Sequence, residues 1–288
     1  MAIQPSTKRT APQSAGRRHP DTFSRRGAVE AIAFVAIWMT AGYLLQLSSN
    51  AYLLLGIPLT IGFQELVRRR PLRELFVRNT TRLSLDRKGV ALATGLGLVP
   101  GYFAAVAVVE RDWTLFGWYL AAVAGAFAAA FALRAGSIRA AVRSAALPIA
   151  IGAGGMALVY GTIHIANGTP LSASAALLAI AKYTALYFPA TFLLEEVAFR
   201  GALDAHLHQD NDRFPWRSAV FVSALWGLWH LPVASGLPLP LLVVELIVVH
   251  VVIGVPLSFA WRRSRNLAGP ALAHAVIDAV RNAFLLGL

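Results

Sequence analysis

Long apolar runs dominate this sequence, and each run has to be buried in a protein core or in a lipid bilayer. Nine runs are candidate spans, at about 29–48, 51–67, 89–109, 114–133, 146–165, 173–199, 217–231, 239–261 and 267–286. Most approach the roughly 20 residues that a helix needs to cross a bilayer, although the second and seventh are short. Only 14% of the 288 residues are charged, against about 25% in soluble domains. We therefore predict an all-α fold, a polytopic transmembrane bundle of about 8–9 helices.

The positions of the basic residues predict how the bundle is oriented. They concentrate in the N-terminal segment and in every second connection, above all in "RRRPLRELFVRNTTRLSLDRK" after the second span. Arg111 is the only basic residue in the alternate connections. By the positive-inside rule the N-terminus and the basic connections are cytoplasmic. The net charge of +12 is then a signal of topology, and without an aromatic–basic motif we expect the partner to be the lipid bilayer and no nucleic acid.

Three regions differ in composition and content. Residues 1–28 are polar, basic and rich in Pro and Ser, which predicts a disordered cytoplasmic tail. Residues 29–165 read as N-terminal transmembrane helices, and residues 173–288 as a core that carries the polar motifs. The absence of cysteine excludes disulfides and thiolate catalysis. We expect a multi-pass protein of a bacterial cell membrane.

Ionisable side chains within the spans are functional hypotheses by default, because each costs at least about 2.5–3.5 kcal/mol at bilayer depth. In "FPATFLLEEVAFRGALDAHLH" (188–208) three charges interrupt an apolar helix. Glu196 and Arg200 are four residues apart and can pair on one face. Glu195 lies about 100° round the helix, which leaves it for another partner. A buried charge network that only locks helix packing is the alternative.

Two later spans bring further polar side chains. His230 ends the seventh span one turn after Trp226, and His274 and Asp278 are four residues apart in the last span. Alone, a histidine near a tryptophan fits an interfacial packing residue, and a His/Asp pair fits a ligand pair, an oriented base or a helix-surface pair. Counted along continuous helices from the cytoplasmic ends, these residues and Glu195 all lie roughly 12–21 Å deep. We therefore expect them to converge.

The remaining intramembrane groups receive smaller roles. Lys182 and Glu245 both lie some way in from the outer face, where we expect them to pair structurally. His250 follows Glu245 by five residues and faces a different side of the helix, so it is assigned no role.

At these positions the sequence resembles the CPBP family (CAAX-prenyl-protease and bacteriocin-processing proteins, also called Abi) of intramembrane endopeptidases. The family motif E-E-x-x-x-R matches residues 195–200, followed by the usual glycine at 201. The aromatic-x-x-x-H motif, usually written with Phe, matches 226–230 with a Trp, and H-x-x-x-N or D matches 274–278. Order and spacing both fit, and the resemblance covers roughly residues 188–282, the C-terminal third.

The resemblance implies roles for the motif residues. Glu195 with His230 would hold and activate the attacking water, and His274 with residue 278 would stabilise the oxyanion. Glu196 and Arg200 would brace the site. These roles agree with the general base and oxyanion donor that peptide hydrolysis needs.

The sequence departs from the family at residue 278, where Asn is common. Asp278 can donate a hydrogen bond to an oxyanion only when it is protonated. It could instead orient His274 or pair with Arg281, three residues further on. Arg281 could itself supply positive charge to the oxyanion.

The resemblance leaves metal dependence open. Glu195, His230 and His274, with Asp278, form a plausible histidine–carboxylate set for zinc, and the family has been called metalloprotease on that ground. A metal-free water activated by glutamate is argued for it as well. The chain has no H-E-x-x-H motif, the stronger zinc signal. We favour metal-free catalysis, so no cofactor is expected, with zinc as the alternative.

These patterns together predict an intramembrane endopeptidase that hydrolyses a peptide bond of a protein or a (prenyl-)peptide substrate. We expect its cavity to open towards the cytoplasmic side. A catalytically inactive membrane scaffold or immunity protein is one alternative, prompted by Asp278. A proton-coupled transporter that uses the intramembrane carboxylates is another, although no inverted repeat supports it.

Overall fold

The fold of residues 24–80, 82–168 and 172–285 is described by a computed structural model. Most of the expected basic tail, residues 1–23, lies outside the described residues. The first helix begins at Arg25, a little before the residue at which the tail was expected to end. The described residues therefore cover every predicted span except residue 286.

Nine helices form the described part of the chain. Their bounds are Arg25–Leu44 (α1), Ser49–Val67 (α2), Arg87–Glu110 (α3), Trp113–Ala135 (α4), Ile138–Ala166 (α5), Ala173–Leu207 (α6), Pro215–Trp229 (α7), Leu239–Ser264 (α8) and Ala268–Leu285 (α9). Seven of them are long and apolar enough to cross a membrane, while α7 and α9 fall short of a full candidate span. The predicted all-α polytopic bundle is confirmed, and the protein is an integral multi-pass membrane protein.

Hydrogen bonds accepted by side chains define where six of the helices begin. A Ser or Asp precedes the first helical residue and accepts from a backbone N–H of the first turn; these caps of α1 to α6 are Ser24, Ser48, Asp86, Asp112, Ser137 and Ser172. Such caps satisfy N–H groups that have no partner within the helix. Helix α7 instead begins at Pro215, whose missing N–H costs nothing at that position. Capping explains why each of these six helices begins at a defined residue.

Helix α6 is not a regular α-helix throughout. Residues Phe192–Asp204 form a π-helix of 13 residues, preceded by Pro189, which lacks a backbone N–H and disturbs the preceding turn. The 3₁₀ turn Leu72–Leu75 packs against this segment at Gly201. A Cβ at Gly201 would lie 2.4 Å from the Leu75 carbonyl oxygen, so only glycine permits this contact.

Aromatic side chains join the N-terminal helices to the motif-bearing core. Trp38 of α1 packs edge-on against Trp229 of α7, with ring centroids 4.8 Å apart. The Tyr52 hydroxyl of α2 donates to the Trp229 carbonyl at 2.8 Å, and the Trp38 indole donates to the Tyr52 carbonyl at 2.8 Å. All three aromatic residues are buried. The N-terminal helices therefore hold the end of α7 in place, directly before His230.

The prediction that Lys182 pairs with Glu245 is wrong. The Lys182 ammonium lies 5.9 Å from the Tyr183 ring centroid, and no ion pair joins it to Glu245 among the residues described. Glu245 is exposed and lines a groove between α5 and α8. Similar distance from one membrane face therefore did not make these residues partners.

Candidate active site

The π-helical segment of α6 carries the first three polar residues of the site. Arg200 Nη1 donates to Glu196 Oε1 at 3.0 Å, as their spacing predicts, and both side chains are fully buried. The Arg200 guanidinium also stands over the Trp226 ring, 4.2 Å from its centroid. An ion pair and a cation–π contact thus compensate a buried charge that would otherwise be costly.

His274 of α9 contacts the same carboxylate oxygen. Its Nδ1 lies 2.9 Å from Glu196 Oε1, and the residue is 3% exposed. Because the carboxylate accepts, Nδ1 carries a proton and donates. Glu196 therefore links Arg200 to His274. The sequence predicted only the first of these two contacts.

Glu195 faces the other side of the site. Its Oε2 accepts a hydrogen bond from the Trp226 indole at 3.0 Å. The same oxygen lies 4.0 Å from Nε2 of His230 and 4.0 Å from Nε2 of His274. These separations are too long for direct hydrogen bonds and are ones that a single bridging water spans.

His230, at the end of α7, is held in one tautomer. Its Nδ1 lies 2.9 Å from the Trp226 carbonyl oxygen, which can only accept, so Nδ1 carries a proton. In the neutral ring Nε2 is then an acceptor, and it is this atom that faces Glu195. Trp226 thus contacts both residues, by its indole N–H and by its backbone carbonyl.

Asp278 lies between two cationic partners. Its Oδ2 is 3.4 Å from His274 Nε2, and its Oδ1 is 3.3 Å from Arg281 Nη2. The two contacts considered for Asp278, with His274 and with Arg281, are therefore made by one carboxylate.

His250 of α8 is the site residue that the sequence analysis missed. Its ring centroid is 4.3 Å from that of His230 and 4.6 Å from that of Trp226. Its Nδ1 lies 2.7 Å from the Leu246 carbonyl oxygen. The available signal was a histidine within an apolar span. The angle to Glu245, on which its exclusion rested, says nothing about neighbours on other helices.

The charges of the site balance if His274 is protonated. The carboxylates of Glu195, Glu196 and Asp278 then face the guanidiniums of Arg200 and Arg281 and the imidazolium of His274. Buried charges are tolerated only when they are compensated. Each His274 nitrogen faces a carboxylate, an arrangement that favours a protonated ring.

The same side chains have the composition of a cation site. One ligand atom each from Glu195, His274 and Asp278 lies within 4.8 Å of the others. The Nδ1 contact of His274 to Glu196 is the outer partner that metal-bound histidines commonly have. His230, which the sequence analysis included in the set, faces Glu195 from outside this group of three.

A cavity of about 220 Å³ gives access to the site. Glu195, His230, His274 and Asp278 are among its lining residues. A larger apolar groove of about 490 Å³ lies between α5 and α8 and shares His230, His250 and Arg281 with it. The cavity also includes Ser49, at the end of α2 remote from the basic connection after Val67. The cavity therefore reaches towards that end of α2, and an opening on the cytoplasmic side stays a prediction.

One comparison with known proteins gave a match. The family model described as "Rce1-like: Type II CAAX prenyl endopeptidase Rce1-like" matches residues 178–280. This range contains all three motifs and confirms the resemblance to the CPBP and CAAX-protease family; it supports a peptidase of the CAAX type in a membrane. No curated protein and no solved structure matched the chain.

Proposed function

We propose that this chain, with its Rce1-like region at residues 178–280, is an intramembrane endopeptidase that hydrolyses a peptide bond with a water molecule held by Glu195 and His230. One observation carries the proposal. Glu195 Oε2 lies 4.0 Å from Nε2 of His230 and of His274, inside a cavity of about 220 Å³. One water molecule can contact all three groups there.

The hydrogen-bonding roles of the two holding groups orient that water. Glu195 is an acceptor, and the neutral His230 ring is an acceptor at Nε2 because its Nδ1 proton is engaged by the Trp226 carbonyl. The water donates one hydrogen to each. Its lone pairs are then directed away from both groups and towards a substrate carbonyl, the geometry that attack requires.

Glu195 acts as general base in the first step. It takes a proton from the water as the water oxygen bonds to the carbonyl carbon, and the C=O π electrons move to the oxygen as an oxyanion. Protonated His274, with Arg281 beyond Asp278, stabilises that charge. Glu195 then passes its proton to the amide nitrogen, the C–N bond breaks, and an acid and an amine are released.

Asp278 has a supporting part in this scheme. Its carboxylate contacts both His274 and Arg281 and keeps the two cations beside the cavity. It needs no proton of its own to do so. The departure from Asn at this position is therefore compatible with catalysis, because the charged donor is His274.

The balance of charges favours the reaction without a metal. A doubly charged cation with a neutral His274 would leave an excess positive charge in a buried site. If zinc is present, Glu195, His274 and Asp278 would hold it, and it would supply Lewis-acid polarisation. Activity that survives a strong chelator, with less than equimolar bound metal, supports the metal-free route; loss of activity restored only by zinc contradicts it.

The apolar groove indicates what kind of substrate reaches the site. It is lined mainly by Ile, Val, Met and Gly residues of α5 and α8 and joins the cavity at His230. An apolar part of the substrate, either a hydrophobic peptide segment or a prenyl chain, would lie in this groove. The scissile bond would then extend into the cavity.

The proposal is tested with purified protein in lipid nanodiscs and a library of apolar peptides, some of them prenylated, with products identified by mass spectrometry. The wild type should cleave a subset, and His230→Ala and His274→Ala should lose that cleavage. His208→Ala is the matched control, since His208 lies after α6 and outside the cavity. Cleavage that survives both site substitutions refutes the proposal. A transporter would instead show substrate flux in proteoliposomes without new products.

A further inference from the structure

A second pocket, of about 380 Å³, lies away from the catalytic cavity. Charged side chains dominate its lining: Arg68, Arg70, Glu74, Arg78, Asp210 and Arg265. Arg68 directly follows α2, Arg265 directly follows α8, and Asp210 lies just beyond the end of α6. The pocket is therefore situated where three helices of membrane-spanning length end, which places it at a membrane surface.

Two of its arginines are partly engaged by the end of α6. Arg68 Nη1 donates to the Gly201 carbonyl at 2.9 Å, and Arg78 Nη2 donates to the Ala205 carbonyl at 3.2 Å. Carbonyls in the last turns of a helix commonly need such donors. Each guanidinium carries five N–H donors, so these contacts leave donors over for a ligand.

The other two arginines are less constrained. Arg265 pairs with Asp210 at 3.1 Å, at an exposed position. Arg70 is exposed, and its side chain has no hydrogen bond or ion pair within the described part of the protein. The lining thus offers at least one guanidinium whose charge no described residue neutralises.

Positive charge exceeds negative charge in this pocket. The lining holds four guanidiniums and two carboxylates, those of Glu74 and Asp210. Asp204, which also acts on Arg78, is already paired with Arg262. Burial and the neighbouring Arg78 charge lower the pKa of Arg68 to about 10. The Glu74 carboxylate offsets only part of this lowering. The fold therefore holds like charges together at a cost that an anion would relieve.

We propose that this pocket binds a phosphate group, supplied by the headgroup of an anionic phospholipid. Several guanidiniums around one pocket match the oxygen geometry of a phosphate through paired N–H donors. The position at the ends of three spanning helices is the level at which lipid phosphates lie. The same chemistry would accept free phosphate, so the source has to be distinguished by experiment.

A bound phosphate would connect parts of the chain that are distant in sequence. It would join the segment after α2, which carries Arg68 to Arg78, to the connection between α8 and α9 at Arg265. Binding to the folded state alone stabilises it by mass action. Anionic lipid should therefore raise the thermal stability of the protein through this pocket.

The test measures the melting temperature of the full chain in a neutral detergent as phosphatidylglycerol or phosphatidylcholine is added. Phosphatidylglycerol should raise it and phosphatidylcholine should not. Arg70→Gln and Arg265→Gln should each weaken the apparent affinity about tenfold or more, the loss expected for a charge-assisted contact. Arg69→Gln is the matched control: it removes the same charge next to Arg70 from a side chain outside the pocket.

Three outcomes of this experiment would refute the proposal or the source of the phosphate that it names. An equal loss in Arg69→Gln and Arg70→Gln would show general charge attraction and refute the pocket. Wild-type affinity in both pocket variants would refute it as well. If inorganic phosphate stabilises the protein as well as the lipid does, and Arg70→Gln abolishes the effect, the phosphate site stands and the headgroup as its source is refuted.

Discussion

Replacing Glu196 by Gln tests the charge balance on which the catalytic scheme depends. Glu196 Oε1 accepts from Arg200 at 3.0 Å and from His274 at 2.9 Å, with no exposure to solvent. Glutamine has the same shape and its carbonyl oxygen can keep both contacts. The substitution therefore removes the negative charge and little else.

The expected magnitudes follow from those two contacts. Leaving one side of a buried ion pair uncompensated costs about 3–5 kcal/mol. His274 can relieve part of this cost by giving up its proton, and the oxyanion then loses a charged donor. Loss of one such donor lowers kcat by about 10²–10³. Because Glu196 is closed to the cavity, KM should change little.

The assay combines peptide cleavage with denaturation in detergent. We expect Glu196→Gln to be less stable than wild type and to lose activity in kcat. Glu110→Gln, an exposed carboxylate at the end of α3, is the control and should behave as wild type. A Glu196→Gln variant with wild-type stability and a kcat within about threefold of wild type would refute the reasoning.

Two further substitutions test the packing around the site. Gly201→Ala should lower the free energy of unfolding by about 1–3 kcal/mol or more, because its Cβ would lie 2.4 Å from the Leu75 carbonyl oxygen. Gly62→Ala is the control and should not destabilise the protein, since a Cβ at Gly62 has no neighbour within 4 Å. Equal effects of the two substitutions would contradict the close approach at Gly201. His250→Ala should lower kcat about tenfold by releasing the His230 ring beside it, and His250→Phe should restore most of it. An equal loss in both His250 variants would show that an imidazole nitrogen takes part.

The bundle could be predicted from the sequence because hydropathy summed over about 20 residues is a strong signal. The π-helical stretch of α6 could not. Its wider turns follow Pro189, and the segment packs at Gly201 against Leu75, a residue far away in sequence that no local pattern connects to it. Pairing between residues at similar depth on different helices could not be predicted either, as the absence of an ion pair between the described residues Lys182 and Glu245 shows.

The convergence of Glu195, His230 and His274 followed from motif order and from depth counted along helices. Helical angle correctly assigned Arg200 to Glu196. It could not reveal that His274 shares that carboxylate, because the contact depends on how α9 packs against the π segment.

His250 was missed for a related reason. Its helix has no motif, and its relation to His230 and Trp226 arises only from the packing of α7 against α8.

The central claim is that Glu195 is the base that activates water, and single-turnover cleavage of a bound peptide by Glu195→Gln tests it most directly. Glutamine keeps the size of the side chain and cannot take the proton. We predict unchanged peptide affinity and a cleavage rate lowered by about 10²–10⁴, the usual contribution of a general base. A rate within about tenfold of wild type, with the peptide fully bound, would contradict the account.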